Sequence, residues 1–154
     1  MISRFVMSSS TFIVIMIVVL SCSALAHGPS DDLLAAAVIG GSMVFELPGS
    51  VGVFRESGSA FYSISVKDSK SVAIRFEVSD LSYVGDEQVS LDAVYWIGKD
   101  SRNSFGPGKP LVLRRIRGSH TFSFHGQVTI KAVEAQPAGE YRGKITITLF
   151  EDRG

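Results

Sequence analysis

Three histidines are the residues best suited to metal chemistry in this chain of 154 residues. If the chain is cut after Ala26, His27 presents a terminal amino group and an imidazole together. One further imidazole, from His120 or His125, would complete the copper-binding arrangement called a histidine brace. These two lie five positions apart, so in one continuous strand they project to opposite faces. We therefore expect three unrelated histidines, no metal and no cofactor, with copper binding as the weaker alternative.

Catalytic motifs of other kinds are missing from the sequence. It contains no G-x-S-x-G nucleophile turn, no H-E-x-x-H zinc motif and no glycine-rich phosphate loop. The carboxylates of Asp80, Asp86 and Glu87 fall in turn-like segments, where a solvated surface explains them. The sequence thus predicts a protein that is not an enzyme.

Positive charge is concentrated between Lys99 and His120. This stretch holds six basic residues against the single acid Asp100, namely Lys99, Arg102, Lys109, Arg114, Arg115 and Arg117. It includes a Gly- and Pro-containing loop, residues 98–110, with Phe105 at its centre. A basic loop and strand could bind an anionic glycan or an acidic partner. Alternatively, the arginines protect a solvated edge strand from edge-to-edge aggregation.

The first 26 residues read as a secretory leader. Arg4 precedes an apolar run, residues 12–20, and the small residues Ala24 and Ala26 frame a cleavage site. A rival cut before Cys22 would create a lipidated N-terminus. Cys22 is the only cysteine, so the chain after Ala26 can form no disulfide. We expect an exported protein and, from its balance of 15 basic and 15 acidic residues, no attraction to nucleic acid.

Apolar residues alternate with polar ones along most of residues 43–154. The clearest case is Val72, Ile74, Phe76 and Val78, which share one parity. Turn residues separate such runs at regular spacing, and one of these turns is expected at Gly126. We predict an all-β, immunoglobulin-like antiparallel β-sandwich of about 7–9 strands over residues 43–154. Residues 27–42, the N-terminal arm, are compatible with a short helix, a strand or a mobile arm.

The chain ends on a strongly alternating strand after a Pro/Gly turn. Pro137, Gly139, Tyr141 and Gly143 lead into Ile145, Ile147 and Leu149. This pattern resembles the C-terminal strand of bacterial fimbrial subunits assembled by the chaperone–usher route. The resemblance covers residues 137–150 and implies a sandwich that lacks one strand. Many such subunits carry a disulfide, which this chain lacks after Ala26.

The resemblance also implies how copies would assemble. A chaperone strand, and then the N-terminal arm of the next subunit, would fill the groove of the incomplete sandwich. The donor residues would be Leu33, Ala35, Ala37, Ile39 and Gly41. The groove strand would carry Tyr141, Gly143, Ile145, Ile147 and Leu149. The partners expected are other copies or pilus subunits, with a periplasmic chaperone and an usher, at the periplasm, cell surface or fimbrium. The alternative is a monomeric exported binding module for a glycan or envelope component.

Overall fold

A computed structural model describes the backbone of residues 21–23 and all of residues 35–152. Strands dominate this part of the chain, and the only helical piece described is a short 3-10 turn, Val133–Ala135. The strands are β1 (Ser21–Ser23), β2 (Ala35–Gly41), β3 (Gly52–Arg55), β4 (Ala60–Val66), β5 (Val72–Val78), β6 (Leu81–Tyr83), β7 (Asp86–Ile97), β8 (Ser104–Phe105), β9 (Leu111–Ile116), β10 (Ser119–Ile130), β11 (Tyr141–Arg142) and β12 (Ile145–Glu151). In the described residues no helix is long and apolar enough to cross a membrane.

The strands form two sheets. One has the order β1-β12-β5-β9, and the other has the order β11-β6-β7-β10-β4-β2, with β3 also on β10 and β8 on β7. Every strand pair is antiparallel except β1 with β12. The predicted all-β class and antiparallel sandwich are confirmed. Residues 43–154 hold ten described strands, of which seven have four or more residues, against the predicted 7–9.

Aromatic and branched side chains fill the space between the sheets. Phe76 of β5 is fully buried, and its ring centroid lies 6.2 Å from that of Tyr62, 6.0 Å from Phe105 and 5.8 Å from Phe124. These contacts join β5 to strands of the other sheet. Burial of apolar surface stabilises a fold by about 25 cal/mol per Å², so this buried aromatic group helps to hold the two sheets together. Phe105 is therefore a core residue and is not available for recognition at the loop surface.

Gly126 was expected to end a strand, and this prediction is wrong. β10 runs without a break from Ser119 to Ile130 and pairs with β7 through Gly126. A Cβ at Gly126 would lie 2.8 Å from Phe45 Cζ and 3.0 Å from Tyr95 Cδ1. The close approach of these two rings, rather than a turn, explains why a glycine occupies this position.

The arm is partly defined by the structure. Its residues 35–41 form strand β2, so the helical alternative fails for this segment. Met43 and Phe45, just after it, are fully buried, although the segment from 43 to 47 makes only an isolated bridge, between Val44 and Ser57. Residues 1–20 and 24–34, which include most of the expected leader, His27 and Leu33, lie outside the described residues.

Candidate strand-exchange edges

The outer edge of β12 is the first candidate site. One side of β12 pairs with β5 along its whole length, from Ile145 opposite Val78 to Glu151 opposite Val72. On its other side the described residues supply only the three residues of β1, which run parallel to it from Ser21 opposite Thr146. These three residues belong to the expected leader. If the leader is removed, the outer backbone N–H and C=O groups of β12 lose these partners.

Three of the five predicted groove residues lie on β12. Ile145 and Ile147 are fully buried and Leu149 nearly so, all on the core face. Tyr141 and Gly143 lie elsewhere, because the predicted single strand is broken into β11, in the larger sheet, and β12, in the smaller. Residue 144 is held at the crossing, where its backbone N–H donates to Ser79 Oγ at 2.9 Å. A strand pattern in sequence cannot reveal such a change of sheet.

The predicted donor segment does not lie beside β12. β2 pairs instead with β4 of its own chain, from Ala35 opposite Val66 to Gly41 opposite Ala60. Ala35, Ala37 and Ile39 are half-buried and pack against the core, so the predicted parity is observed. Within one chain, the structure therefore places the two halves of the predicted exchange site on different sheets.

The six basic residues are divided between the two ends of β9. The first group lies in the segment between β7 and β9 and consists of Lys99, Arg102 and Lys109. The second group lies in the C-terminal half of β9 or directly after it and consists of Arg114, Arg115 and Arg117. A six-residue strand spans roughly 20 Å at about 3.3 Å per residue. This length separates the start of β9, near Lys109, from its end, next to Arg117. In the first group Arg102 pairs with Asp100, and its hydrogen bonds hold the pKa of Asp100 below its ordinary value.

The second basic group fits the edge-protection alternative. β9 is the end strand of its sheet. Its pairing with β5 slips between Val72 and Ile74, and Arg115 opposite this slip has a left-handed φ of 58°. The backbone N–H of Arg115 donates to Asp152 Oδ2 at 2.8 Å. A bulge and charged side chains are the devices that keep an edge strand from pairing with another chain.

Two of the three histidines make ordinary contacts. His120 Nε2 lies 2.8 Å from the carbonyl oxygen of Arg117, and His125 Nδ1 lies 2.8 Å from Glu56 Oε1. His125 also stacks on Trp96, at 5.9 Å between ring centroids. The guanidinium carbon of Arg55 lies over the Trp96 ring, 5.4 Å from its centroid. Sequence reasoning missed this cluster because Glu56 and His125 are 69 positions apart. In the described part of the chain, no three His, Cys, Asp or Glu residues are grouped to hold a metal ion.

Comparison with known proteins adds no relative. No protein-family model matches this chain, and no curated protein matches it either. The likeness of residues 137–150 to fimbrial C-terminal strands rests on their sequence pattern. What remains to guide a functional proposal is the geometry of the strand edges.

Proposed function

We propose that the protein is an exported structural subunit that polymerises by donor-strand exchange. Strand β2 of one copy would add to the outer edge of β12 in the next. One observation carries the proposal: in the described residues, the outer edge of β12 pairs only with three residues that belong to the expected leader. Processing after Ala26 would then open this edge to another strand.

The edge of β12 has the properties of an acceptor. Its residues 145–150 are uncharged, and its core-facing residues Ile145 and Ile147 are already buried against β5. An unprotected edge strand offers a row of N–H and C=O groups to another chain. Main-chain hydrogen bonds would supply affinity, and alternate side chains entering the core would supply register.

The strand β2 has the properties of a donor. Residues 35–41 read AAAVIGG, without a charge or a proline that would oppose pairing. Ala35, Ala37 and Ile39 already point into a core, which is the parity that insertion beside β12 requires. Leu33 continues this parity and would extend the apolar row.

Head-to-tail exchange explains why a fibre would form. The donor and acceptor are different surfaces, so a pair of copies still has one unused donor and one unused acceptor, and such a contact does not close on itself. The resemblance of the last strand adds a periplasmic chaperone, an usher and other pilus subunits as the expected partners. The location that follows is the periplasm or the cell surface.

A peptide-binding experiment tests the acceptor directly. A protein that begins after Gly41 is mixed with a synthetic peptide of residues 31–41, and amide hydrogen exchange is measured by mass spectrometry. We expect slower exchange in residues 145–151, because the added strand protects the backbone of β12. A control peptide with Ala37→Asp buries a charge at a core position and should not bind. Protection confined to residues 60–66 would contradict the assignment of β12 as the acceptor.

A further inference from the structure

The described part of the arm, strand β2, pairs with β4 of its own chain, and we call this position of the arm on β4 the seat. All seven residues of β2 have a partner on β4, without a register shift. Ala35, Ala37 and Ile39 face the core, while Val38 on the other face is 62% exposed. The arm therefore lies on its own sheet as a regular end strand, with its apolar face inward.

Two glycines of the arm are explained by this seat. A Cβ at Gly40 would lie 2.5 Å from Cζ of Phe61, whose ring covers the glycine. Gly41 has a left-handed φ of 78°, and a Cβ there would collide with the backbone carbonyl of Ser59. Gly41 therefore accepts a glycine far more readily than any other residue, whereas a side chain at Gly40 would require the Phe61 ring to move. The sequence of the arm is thus matched to β4 as well as to its expected role as a donor.

The side chains of β2 nevertheless contribute few stabilising interactions to the seat. The side chains of β2 are Ala, Val, Ile and Gly, so they contribute no ion pair and no side-chain hydrogen bond. The largest core-facing side chain, Ile39, is only half-buried. End strands with few buried apolar contacts open more easily than central strands. The glycine pair at the end of β2 then provides a natural hinge.

We infer that the seat on β4 stores the arm within its own chain before assembly. This inference rests on the proposed function, in which the same arm pairs with β12 of another copy. An arm cannot occupy both places at once, so release from β4 must precede or accompany exchange. Intrachain storage and interchain exchange compete, and whatever stabilises the seat slows assembly.

A reversible cross-link tests the storage seat. Val38 and Ser63 are paired residues of β2 and β4, and facing Cα atoms in an antiparallel pair lie about 4.5–5.5 Å apart, within the range for a disulfide. After Ala26 the chain has no other cysteine. The variant Val38→Cys with Ser63→Cys should form an intrachain disulfide, and the oxidised protein should give no polymer ladder on an unheated SDS gel. Reduction should restore the ladder.

A matched variant controls for the cross-link itself. Ser63 and Thr121 are paired residues of β4 and β10, with hydroxyl oxygens 2.8 Å apart. The variant Ser63→Cys with Thr121→Cys ties two strands that do not exchange, so its ladder should survive oxidation. A ladder from the oxidised Val38/Ser63 variant, or two free thiols that refuse to pair, would overturn the storage seat. A reduced variant and an unaltered protein that both fail to form a ladder would overturn polymerisation itself.

Discussion

The hydroxyl of Tyr141 donates a hydrogen bond to the carbonyl oxygen of Pro137 at 2.9 Å. Tyr141 is 1% exposed, and its ring is tilted by 46° against that of Tyr83, at 5.3 Å between ring centroids. A tyrosine that bonds back to the backbone a few residues upstream is a known corner device of β-sandwiches. Here it fixes the turn from which the chain crosses to β12, and so it positions the proposed acceptor strand.

Removing this hydroxyl should destabilise the domain. Tyr141→Phe removes the hydrogen bond to Pro137, an exposed residue, and we expect the free energy of unfolding to fall by about 0.5–1.5 kcal/mol. Urea unfolding followed by tryptophan fluorescence measures it. The matched control is Tyr95→Phe, because the buried Tyr95 hydroxyl has no hydrogen-bond partner in the described structure. That change should be neutral or stabilising, and equal losses in both variants would contradict the assigned bond.

Tyr95 should also make the protein sensitive to alkali. Burial raises the pKa of the Tyr95 phenol well above its ordinary value. As the pH rises above about 10, the unfolded chain releases this proton while the folded chain keeps it, so the free energy of unfolding falls. Urea midpoints at pH 8 and pH 11 should therefore differ less in Tyr95→Phe than in the unaltered protein. An identical difference in both would show that Tyr95 does not contribute.

Gly126 should tolerate no side chain. A methyl group there meets Phe45, Tyr95 and also Met43 Sδ at 3.1 Å. We expect Gly126→Ala to lower the free energy of unfolding by about 1–3 kcal/mol through overpacking. Gly106→Ala is the matched control, because its nearest neighbour is a carbonyl oxygen at 3.8 Å. The midpoint of thermal unfolding is measured for both variants. An unchanged midpoint for Gly126→Ala would contradict the close contact of Phe45 and Tyr95 with Gly126.

A copy without its arm should stop growing fibres. A protein that begins after Gly41 keeps the edge of β12 but has no strand to donate, so it accepts one neighbour and ends the chain. Adding increasing amounts of it to the unaltered protein should shorten the ladder on unheated SDS gels. A ladder of unchanged length at every ratio would mean that β12 accepts no arm.

The alternation of Val72, Ile74, Phe76 and Val78 was sufficient to predict β5, because a period of two fixes which side chains face the core. The same rule placed Ala35, Ala37 and Ile39 on one inward face. The period of two could not predict which strand β2 would pair with. The partner of β2 is β4, and that choice depends on the shape of Phe61 and Ser59 around two glycines, which no local pattern records.

Contacts between distant positions escaped prediction for the same reason. Glu56 reaches His125 and the backbone N–H of Gly126, at 3.0 Å, only because β3 and β10 are neighbours in the sheet. Gly126 itself was taken for a turn, since glycine is the commonest turn residue. Close approach of Phe45 and Tyr95 was the actual cause, and it becomes visible only when the strands are assembled.

If the arm is a donor, substitutions on the core-facing side of β2 should affect polymerisation more than substitutions on its exposed side. Ala35→Asp with Ala37→Asp would bury two charges on insertion, so this variant should lose the ladder. Ala36→Ser with Val38→Ser changes only the exposed face and should keep it. Circular dichroism of each monomer checks that the domain remains folded.

The most direct measurement is an unheated SDS gel of the mature protein, with and without residues 33–41. If β2 is exchanged between copies, the unaltered protein gives a ladder that collapses to monomer on boiling, and the deletion gives monomer alone. A protein that is strictly monomeric at every concentration and temperature, with its arm intact, would contradict polymerisation by donor-strand exchange.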